Sequence, residues 1–244
     1  MSQTLTLTRI ESKLFLREST GVFFVFALPL GLLTIFSLTS TGDGSDASAH
    51  IPASFLPTMA IGIGISMLGI ATLPTVLANY RDKGVLRRMS TTPVQPVKLL
   101  VAQLLVHLAA AVVVIALILA IGRLAFDAEL PASGVRFALA AVLFCVSQFS
   151  IGLLVAAIAS SGKSAGIIGN LLFFPSMFFA GVWTPGDLMP ESLRWLRDIT
   201  PMGAGMSGMQ DAWAGAWPGL EHTLAMIAVT ALCVGLAARF FRWE

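Results

Sequence analysis

Residues 98–122 read KLLVAQLLVHLAAAVVVIALILAIG, an apolar run with Lys98 at its start and His107 as the one ionisable side chain further in. The hydrocarbon core of a bilayer is about 30 Å thick, which a helix of about 20 apolar residues spans. Lipid offers the backbone no hydrogen-bond partner, so a single segment that crosses it must be helical. This run therefore predicts a transmembrane helix.

Five further apolar runs occur along the chain, at residues 21–41, 54–79, 136–160, 165–185 and 222–241. Only 11% of the residues are charged, against about 25% in an average soluble domain. A chain so poor in charge cannot cover a water-facing surface. The sequence thus predicts an all-α integral membrane protein with six transmembrane helices, in a single transmembrane domain over residues 1–244.

The lysines and arginines predict which way the six spans cross, because cytoplasmic loops carry an excess of them. With six spans, both termini lie on one side of the membrane. That side carries Arg9, Lys13, Arg17, Arg81, Lys83, Arg87, Arg88, Lys98, Lys163, Arg239 and Arg242. The other side carries Arg123, Arg136, Arg194 and Arg197. This bias predicts that both termini are cytoplasmic.

Two segments outside the spans have patterns of their own. Residues 1–20 place Leu7, Ile10 and Leu14 on one helical stripe and basic side chains on another, which predicts an amphipathic helix along the inner leaflet. Residues 186–220 combine clustered tryptophans with glycine and proline. They are too apolar for an open loop and too broken to span, so we expect an external re-entrant segment between spans five and six.

Composition also argues against several classes of function. A net charge of +2 does not favour nucleic acid as a partner. Cys145 and Cys233 lie in separate apolar runs, which favours neither a disulfide nor a metal site. His107 is the one titratable side chain deep in a predicted span, and we expect it to bond to a neighbouring helix rather than to relay protons. The energy for any transport must then come from outside the bundle.

Small residues line predicted spans two and five. They are Gly62, Gly64, Ser66 and Gly69 in span two, and Gly162, Gly166 and Gly169 in span five. Small side chains let helices approach closely. The contact could lie within one bundle or between two subunits, and the sequence leaves both open.

The connection between spans two and three, residues 80–97, is the most informative segment, and its first part, residues 80–93, reads YRDKGVLRRMSTTP. As one helix it would place Val85, Leu86 and Met89 on one face and basic residues on another. Asp82 would lie near its start, where a negative charge is favoured. A simple topology anchor needs the charge but not the apolar face. A short amphipathic helix held between two spans can dock into a groove on a soluble partner.

With these motifs the sequence resembles the permease subunit of type-2 ABC exporters, a group that includes permeases for antibiotic resistance and for polysaccharide or lipid export. The resemblance covers nearly the whole chain and starts with the amphipathic N-terminal helix. Residues 81–89 (RDKGVLRRM), followed by 92–94 (TPV), are similar to the family's acidic-x-Gly-x-Leu coupling-helix motif and its Thr-Pro tail. Residues 179–185 (FAGVWTP) and 188–190 (LMP), then Trp195 and Thr200-Pro201, match the end of span five and the external re-entrant helices.

One position departs from the family pattern. The family often has a second acidic residue near Asp82, where this chain has Lys83 and then Arg87 and Arg88. The surface of the partner that receives this segment is therefore expected to be more acidic.

The resemblance implies a mechanism in which two permease subunits pair with two ATP-binding subunits. ATP binding closes the motor dimer, and the coupling helices carry that motion to the spans. The coupling residues would be Arg81, Asp82, Lys83, Gly84, Val85, Leu86, Arg87, Arg88 and Met89, with help from the N-terminal helix. ATP and Mg²⁺ are expected on a separate ABC ATPase subunit, with no catalytic residue, metal or cofactor in this chain.

The resemblance also implies a substrate path along spans one, two and five. Candidate path residues are Phe23, Phe26, Phe178, Phe179 and Trp183, and the external re-entrant motif comprises Gly181, Pro185, Pro190 and Pro201. The expected function is export of an amphipathic or hydrophobic compound (a drug, an antibiotic or a lipid) across the bacterial cytoplasmic membrane. The expected assembly is a homodimer surrounded by membrane lipids.

Two alternatives stay open at this point. The first is a membrane-embedded assembly or binding protein without transport activity. The second is an intramembrane enzyme, which would need a Ser–His pair, paired aspartates or a metal set at membrane depth, and no such set is visible in the sequence. The sequence does not identify the substrate, nor does it distinguish a homodimer from a heterodimer.

Overall fold

A computed structural model describes residues 3–42, 52–85, 88, 95–183 and 191–240. All regular elements in these ranges are helical, which confirms the all-α prediction. In chain order they are α1 (Gln3–Arg17), α2 (Ser19–Gly42), α3 (Phe55–Ser66), a π-helical segment (Met67–Thr72), α4 (Leu73–Asp82), α5 (Pro96–Phe126), α6 (Gly134–Ile158), α7 (Gly162–Phe179), α8 (Glu191–Ile199), α9 (Pro201–Trp213) and α10 (Leu220–Phe240).

Five helices among the described residues are long and apolar enough to cross a membrane. They cover Gly21–Leu38, Phe55–Asp82, Val97–Phe126, Gly134–Ile158 and Leu220–Phe240. These five coincide with predicted spans one to four and six, so the chain is an integral membrane protein. The predicted fifth span, residues 165–185, falls on α7, and the total of six spans stays a prediction.

The end of α7 lies earlier than the sequence predicts. The helix ends at Phe179 rather than near residue 185, because Gly181 has a φ of +76°. The N–H of Gly181 donates to the carbonyl of Phe178 at 3.0 Å, and the N–H of Val182 donates to the carbonyl of Met177 at 3.1 Å. These two bonds form a Schellman motif, which terminates a helix at a left-handed glycine. Apolar side chains alone did not reveal this end.

The second span forms the centre of the bundle. It runs from α3 through the π-helical segment into α4, and most of its length is buried. Pro74 has no N–H to donate to the carbonyl of Ile70, four residues earlier, which favours the wider turn there. The carbonyls of Gly69 and Ile70 lie against Gly152 of α6 and Gly169 of α7, leaving no room for a Cβ at either glycine.

The small residues of spans two and five therefore pack within one bundle. A Cβ on Gly62 would lie 2.9 Å from Met206 of α9, and a Cβ on Gly64 would lie 2.6 Å from Val114 of α5. A Cβ on Gly69 would lie 2.7 Å from the backbone of Gln148 in α6. Of the two alternatives that the sequence left open, packing inside the subunit accounts for these contacts.

Two shorter helices, α8 and α9, connect α7 to the last span. With 9 and 13 residues, both fall short of the about 20 residues that a bilayer requires. Nearly all of α9 is buried, against α3, α6 and α10. Gln210 of α9 donates to Thr58 of α3 at 3.2 Å and accepts from Arg197 of α8 at 3.0 Å. The predicted re-entry of this segment into the membrane stays a prediction.

Candidate functional site

The connection after α4 begins with a left-handed turn. The helix ends at Asp82, and Gly84 follows with a φ of +66° while its N–H donates to the carbonyl of Arg81 at 2.9 Å. A new helical turn starts at once, since the N–H of Arg88 donates to the carbonyl of Gly84 at 3.1 Å. The prediction of one uninterrupted helix through this segment is therefore wrong. A glycine just past a helix end is the usual site of such a break, and this signal was present in the sequence.

Arg81 is engaged inside the bundle. Its guanidinium donates to the carbonyls of Ala156 and Ala157 at 3.2 and 3.3 Å. These carbonyls belong to the last turn of α6, whose final C=O groups have no intrahelical partner and attract positive charge. Arg81 thus joins the end of α4 to the end of α6.

The other predicted coupling residues differ in exposure. Asp82 and Lys83 are exposed, and Val85 is partly buried. The guanidinium of Arg88 donates to the carbonyl of Lys83 at 2.9 Å, which closes the turn around Gly84. Leu86, Arg87 and Met89 lie outside the described residues.

The role of Arg81 gives a first prediction. Arg81→Ala should lower the free energy of unfolding by about 1.5–3 kcal/mol, because two carbonyls lose a charged donor. Lys83→Ala, two residues further on and exposed, should change it by less than about 0.5 kcal/mol. Unfolding of the purified protein by graded SDS measures both. Equal effects of the two substitutions would contradict a structural role for Arg81.

The N-terminal helix α1 runs alongside the start of α5, in the same direction. Lys98 donates to the side-chain oxygen of Gln3 at 2.6 Å, and the ring of Phe15 contacts that of His107 at 5.7 Å between centroids. The predicted apolar stripe faces away from the bundle, since Ile10 is 49% exposed and Leu14 is 47% exposed. Such a stripe suits a helix along the inner leaflet, which stays a prediction, and a different row of α1 is buried against the bundle.

That buried row is centred on Glu11, which is 6% exposed. Its Oε2 accepts hydrogen bonds from the Tyr80 hydroxyl of α4 and from the Gln103 amide of α5, both at 2.6 Å. Burial raises the pKa of the Glu11 carboxyl, and the two hydrogen bonds only partly offset that rise. The face of α1 that packs against the bundle therefore carries a charged residue, which an apolar pattern alone does not indicate.

His107 does not bond to a neighbouring helix as the sequence predicted. Its Nδ1 lies 2.9 Å from the carbonyl of Gln103, one turn earlier in its own helix. Its contacts with other helices are ring contacts, with Phe15 of α1 and Phe149 of α6. The side chain is fully buried at this junction of three helices.

A groove of about 430 Å³ opens between α2, the π-helical segment and α7. Spans one, two and five, predicted to line the substrate path, correspond to these elements. The lining residues are Phe24, Leu28, Leu32, Met67, Asn170, Phe173, Phe174, Met177 and Trp183. Asn170 supplies an exposed amide in an otherwise apolar and aromatic wall.

One of the five predicted path residues, Trp183, lines this groove. Phe23 and Phe178 are exposed elsewhere, and Phe26 packs against the core. Phe179 contacts Phe178 ring to ring. Successive helix residues differ by about 100°, so the row formed by Phe24 and its i+4 and i+8 neighbours faces the groove. That i, i+4 spacing was the sequence signal that could have identified the lining.

The predicted external motif is only partly described. Gly181 forms the left-handed turn that ends α7, and Pro201 opens α9 in its first turn, where its missing N–H costs nothing. Pro185 and Pro190 lie outside the described residues.

A bundle of apolar helices with one buried central span and a laterally open groove defines a polytopic α-helical membrane protein. The sequence profile described as ABC-2 type transporter matches residues 2–213, from α1 to the end of α9. The chain belongs to this family, as a permease component of a transporter, and the family implies an ABC ATPase partner. Among curated protein sequences, none matches the chain.

Proposed function

We propose that this chain is the permease subunit of an ATP-driven exporter of amphipathic or hydrophobic compounds, such as a drug, an antibiotic or a lipid. Two copies would pair in the bacterial cytoplasmic membrane, with both termini cytoplasmic. A separate ABC ATPase would bind ATP and Mg²⁺ and supply the energy. Catalysis would belong to that partner and not to this chain.

The groove between α2 and α7 is the observation that carries this proposal. Its volume of about 430 Å³ lies in the range of small-molecule sites, about 300–1,000 Å³. Apolar and aromatic walls favour an apolar ligand body, and the amide of Asn170 offers one hydrogen-bonding point. A ligand with an apolar body and a polar group fits this chemistry.

The connection after α4 supports coupling to a cytoplasmic motor. Asp82 and Lys83 are exposed there, and the Gly84 turn orients the helical turn that follows. Because Arg81 is engaged with α6, we assign contact with the ATPase to the exposed side chains after it. Movement imposed on this segment would pass through Arg81 to α6 and through α4 to the π-helical segment.

A second copy of the chain would cover the outer faces of α2 and α7. Phe23 and Ile35 of α2 and Ile167, Leu171 and Phe174 of α7 are each more than half exposed. In the homodimer these faces would enclose the groove from its open side. The pairing of identical subunits is consistent with the prevalence of two-fold symmetry among oligomers.

The test is purification of the tagged chain from its native membrane in mild detergent. A bound ABC ATPase whose ATP hydrolysis rises in the presence of the permease would support the proposal. A cysteine at Lys83 should also cross-link to that ATPase. Stable co-purification with other membrane proteins and no nucleotide-hydrolysing subunit would instead favour the assembly or binding role.

A substitution at Asn170 tests the groove. Asn170→Leu should raise the Kd for an amphipathic substrate about 5- to 10-fold, since a hydrogen bond of about 1–1.5 kcal/mol is lost. Asn170→Gln keeps the amide and should retain most of the binding. The matched control is Leu232→Ala in α10, whose side chain is exposed and does not line the groove. Equal affinity in Asn170→Leu and the unaltered protein would exclude Asn170 as a ligand contact.

A further inference from the structure

Helix α1 contacts both α4 and α5, the two helices on either side of the predicted coupling residues 81–89 (the coupling segment). Tyr80 lies two residues before the end of α4, and Gln103 lies in the early turns of α5. The connection between α4 and α5 begins with Lys83, which with Asp82 at the end of α4 was assigned above to the ATPase contact. Any force on this connection acts on α4 and α5, and α1 is the third helix at their junction.

One carboxyl oxygen of Glu11 links α1 to both α4 and α5, and this contact is called the tie below. Both Tyr80 and Gln103 donate to the same Oε2 of Glu11, each at 2.6 Å. A third hydrogen bond, from Lys98 to Gln3, fixes the beginning of α1 to the beginning of α5. Among the described residues, no lysine, arginine or histidine forms an ion pair with Glu11.

The choice of residue is informative because burying a carboxylate without a cation costs free energy. Elsewhere along the same contact, apolar Phe15 packs against the core. An apolar side chain at position 11 would have held α1 passively and at lower cost. Two directional hydrogen bonds instead fix the relative position of three helices.

We propose that Glu11 is a positioning residue for the transport cycle: its carboxyl group ties α1 to α4 and α5, so that the two helices flanking the coupling segment move as one unit. This inference rests on the proposed function. It adds a specific residue, outside the segment that touches the ATPase, through which ATP-driven motion depends on α1. Glu11 acts through Tyr80 and Gln103 and not on the substrate.

The tie itself is testable in the full-length permease without its partner. Spin labels at exposed Lys13 of α1 and Leu105 of α5, with Cys145 and Cys233 replaced by alanine, report the α1–α5 distance. Glu11→Ala should broaden this distance distribution, and Glu11→Gln should leave it narrow because its carbonyl oxygen still accepts both bonds. A label pair at Leu105 and Leu232, on α5 and α10, is the control. An unchanged α1–α5 distribution in Glu11→Ala would overturn the tie.

The pH dependence provides a second readout. Because the docked state raises the pKa of Glu11, docking should tighten as the pH falls and loosen as the pH rises through that pKa. The titratable groups nearby are Tyr80 of α4, Lys98 and His107 of α5, and exposed Glu18. Glu11→Gln should abolish the response and Glu18→Gln should keep it. A response that survives in Glu11→Gln would overturn its assignment to this carboxylate.

The coupling role is tested in the complex with the co-purified ATPase. Glu11→Ala should reduce permease-stimulated ATP hydrolysis per assembled complex at least fivefold, whereas Glu11→Gln should retain more than half of it. Glu18→Ala is the matched control. If the tie is broken in Glu11→Ala but stimulation per complex is unchanged, the positioning role is overturned. If the unaltered permease binds no ATPase, the proposed function fails, and the distance measurement still decides the tie.

Discussion

Gly152→Ala should destabilise the bundle, because α6 could no longer pack closely against the second span. A Cβ at this position would overlap the carbonyl oxygen of Gly69 and would lie 3.3 Å from the ring of Pro74. Both neighbours are held by the π-helical segment and α4, so neither can move aside as a flexible side chain would. We expect the free energy of unfolding to fall by about 3 kcal/mol or more.

The control for this substitution is Gly235→Ala in α10, where a Cβ meets nothing within 4 Å. The change there should stay within about 1 kcal/mol of the original stability, with the sign favouring alanine. Graded SDS unfolding and the yield of monodisperse protein report both variants. A Gly152→Ala protein as stable as Gly235→Ala would show that α6 and the π-helical segment are not in such close contact.

Gly84→Val should uncouple ATP hydrolysis from the permease while leaving the bundle intact. A Cβ at Gly84 meets nothing within 4 Å, so the substitution adds no clash with other residues. The φ of +66° costs a β-branched residue about 1–2 kcal/mol. The turn would relax to a negative φ and redirect the helical turn that follows. Permease-stimulated ATP hydrolysis should fall about tenfold.

Gly84→Asn is the matched variant, because asparagine tolerates the left-handed region better than other side chains do. It should preserve most of the stimulation. Membrane insertion and the unfolding transition should be the same in both variants, since the residue lies beyond the end of α4. Full stimulation with valine at this position would mean that the Gly84 turn does not set the geometry of coupling.

Five of the six predicted spans and their approximate ends match the structure, because membrane crossing depends on local properties: run length, apolar content and the absence of charge. The same holds for the all-helical class. The predicted helix ends were wrong where a single glycine with a positive φ interrupted an otherwise helical pattern. Gly181 ended α7 early, and Gly84 divided the predicted coupling helix.

The candidate site was less predictable. The resemblance to type-2 ABC exporters implied spans one, two and five, but the candidate residues included Phe23 and Phe179, whereas Phe24 and Phe173 line the groove. Aromatic identity does not show which way a helix is rotated, and rotation is set by packing against other helices. The sequence did not predict Asn170 as a lining residue, because a single amide in an apolar run does not show what surrounds it.

Sequence alone determined that the chain crosses a membrane, that it is helical and that a basic connection follows the second span. Those properties follow from each segment's own composition, since lipid imposes the same demand on every span. Only the tertiary structure showed that Glu11 is buried between Tyr80 and Gln103, and that Arg81 serves the end of α6. Such roles depend on atoms that lie 69 to 92 residues away along the chain, and no local pattern records which distant atoms folding brings into contact.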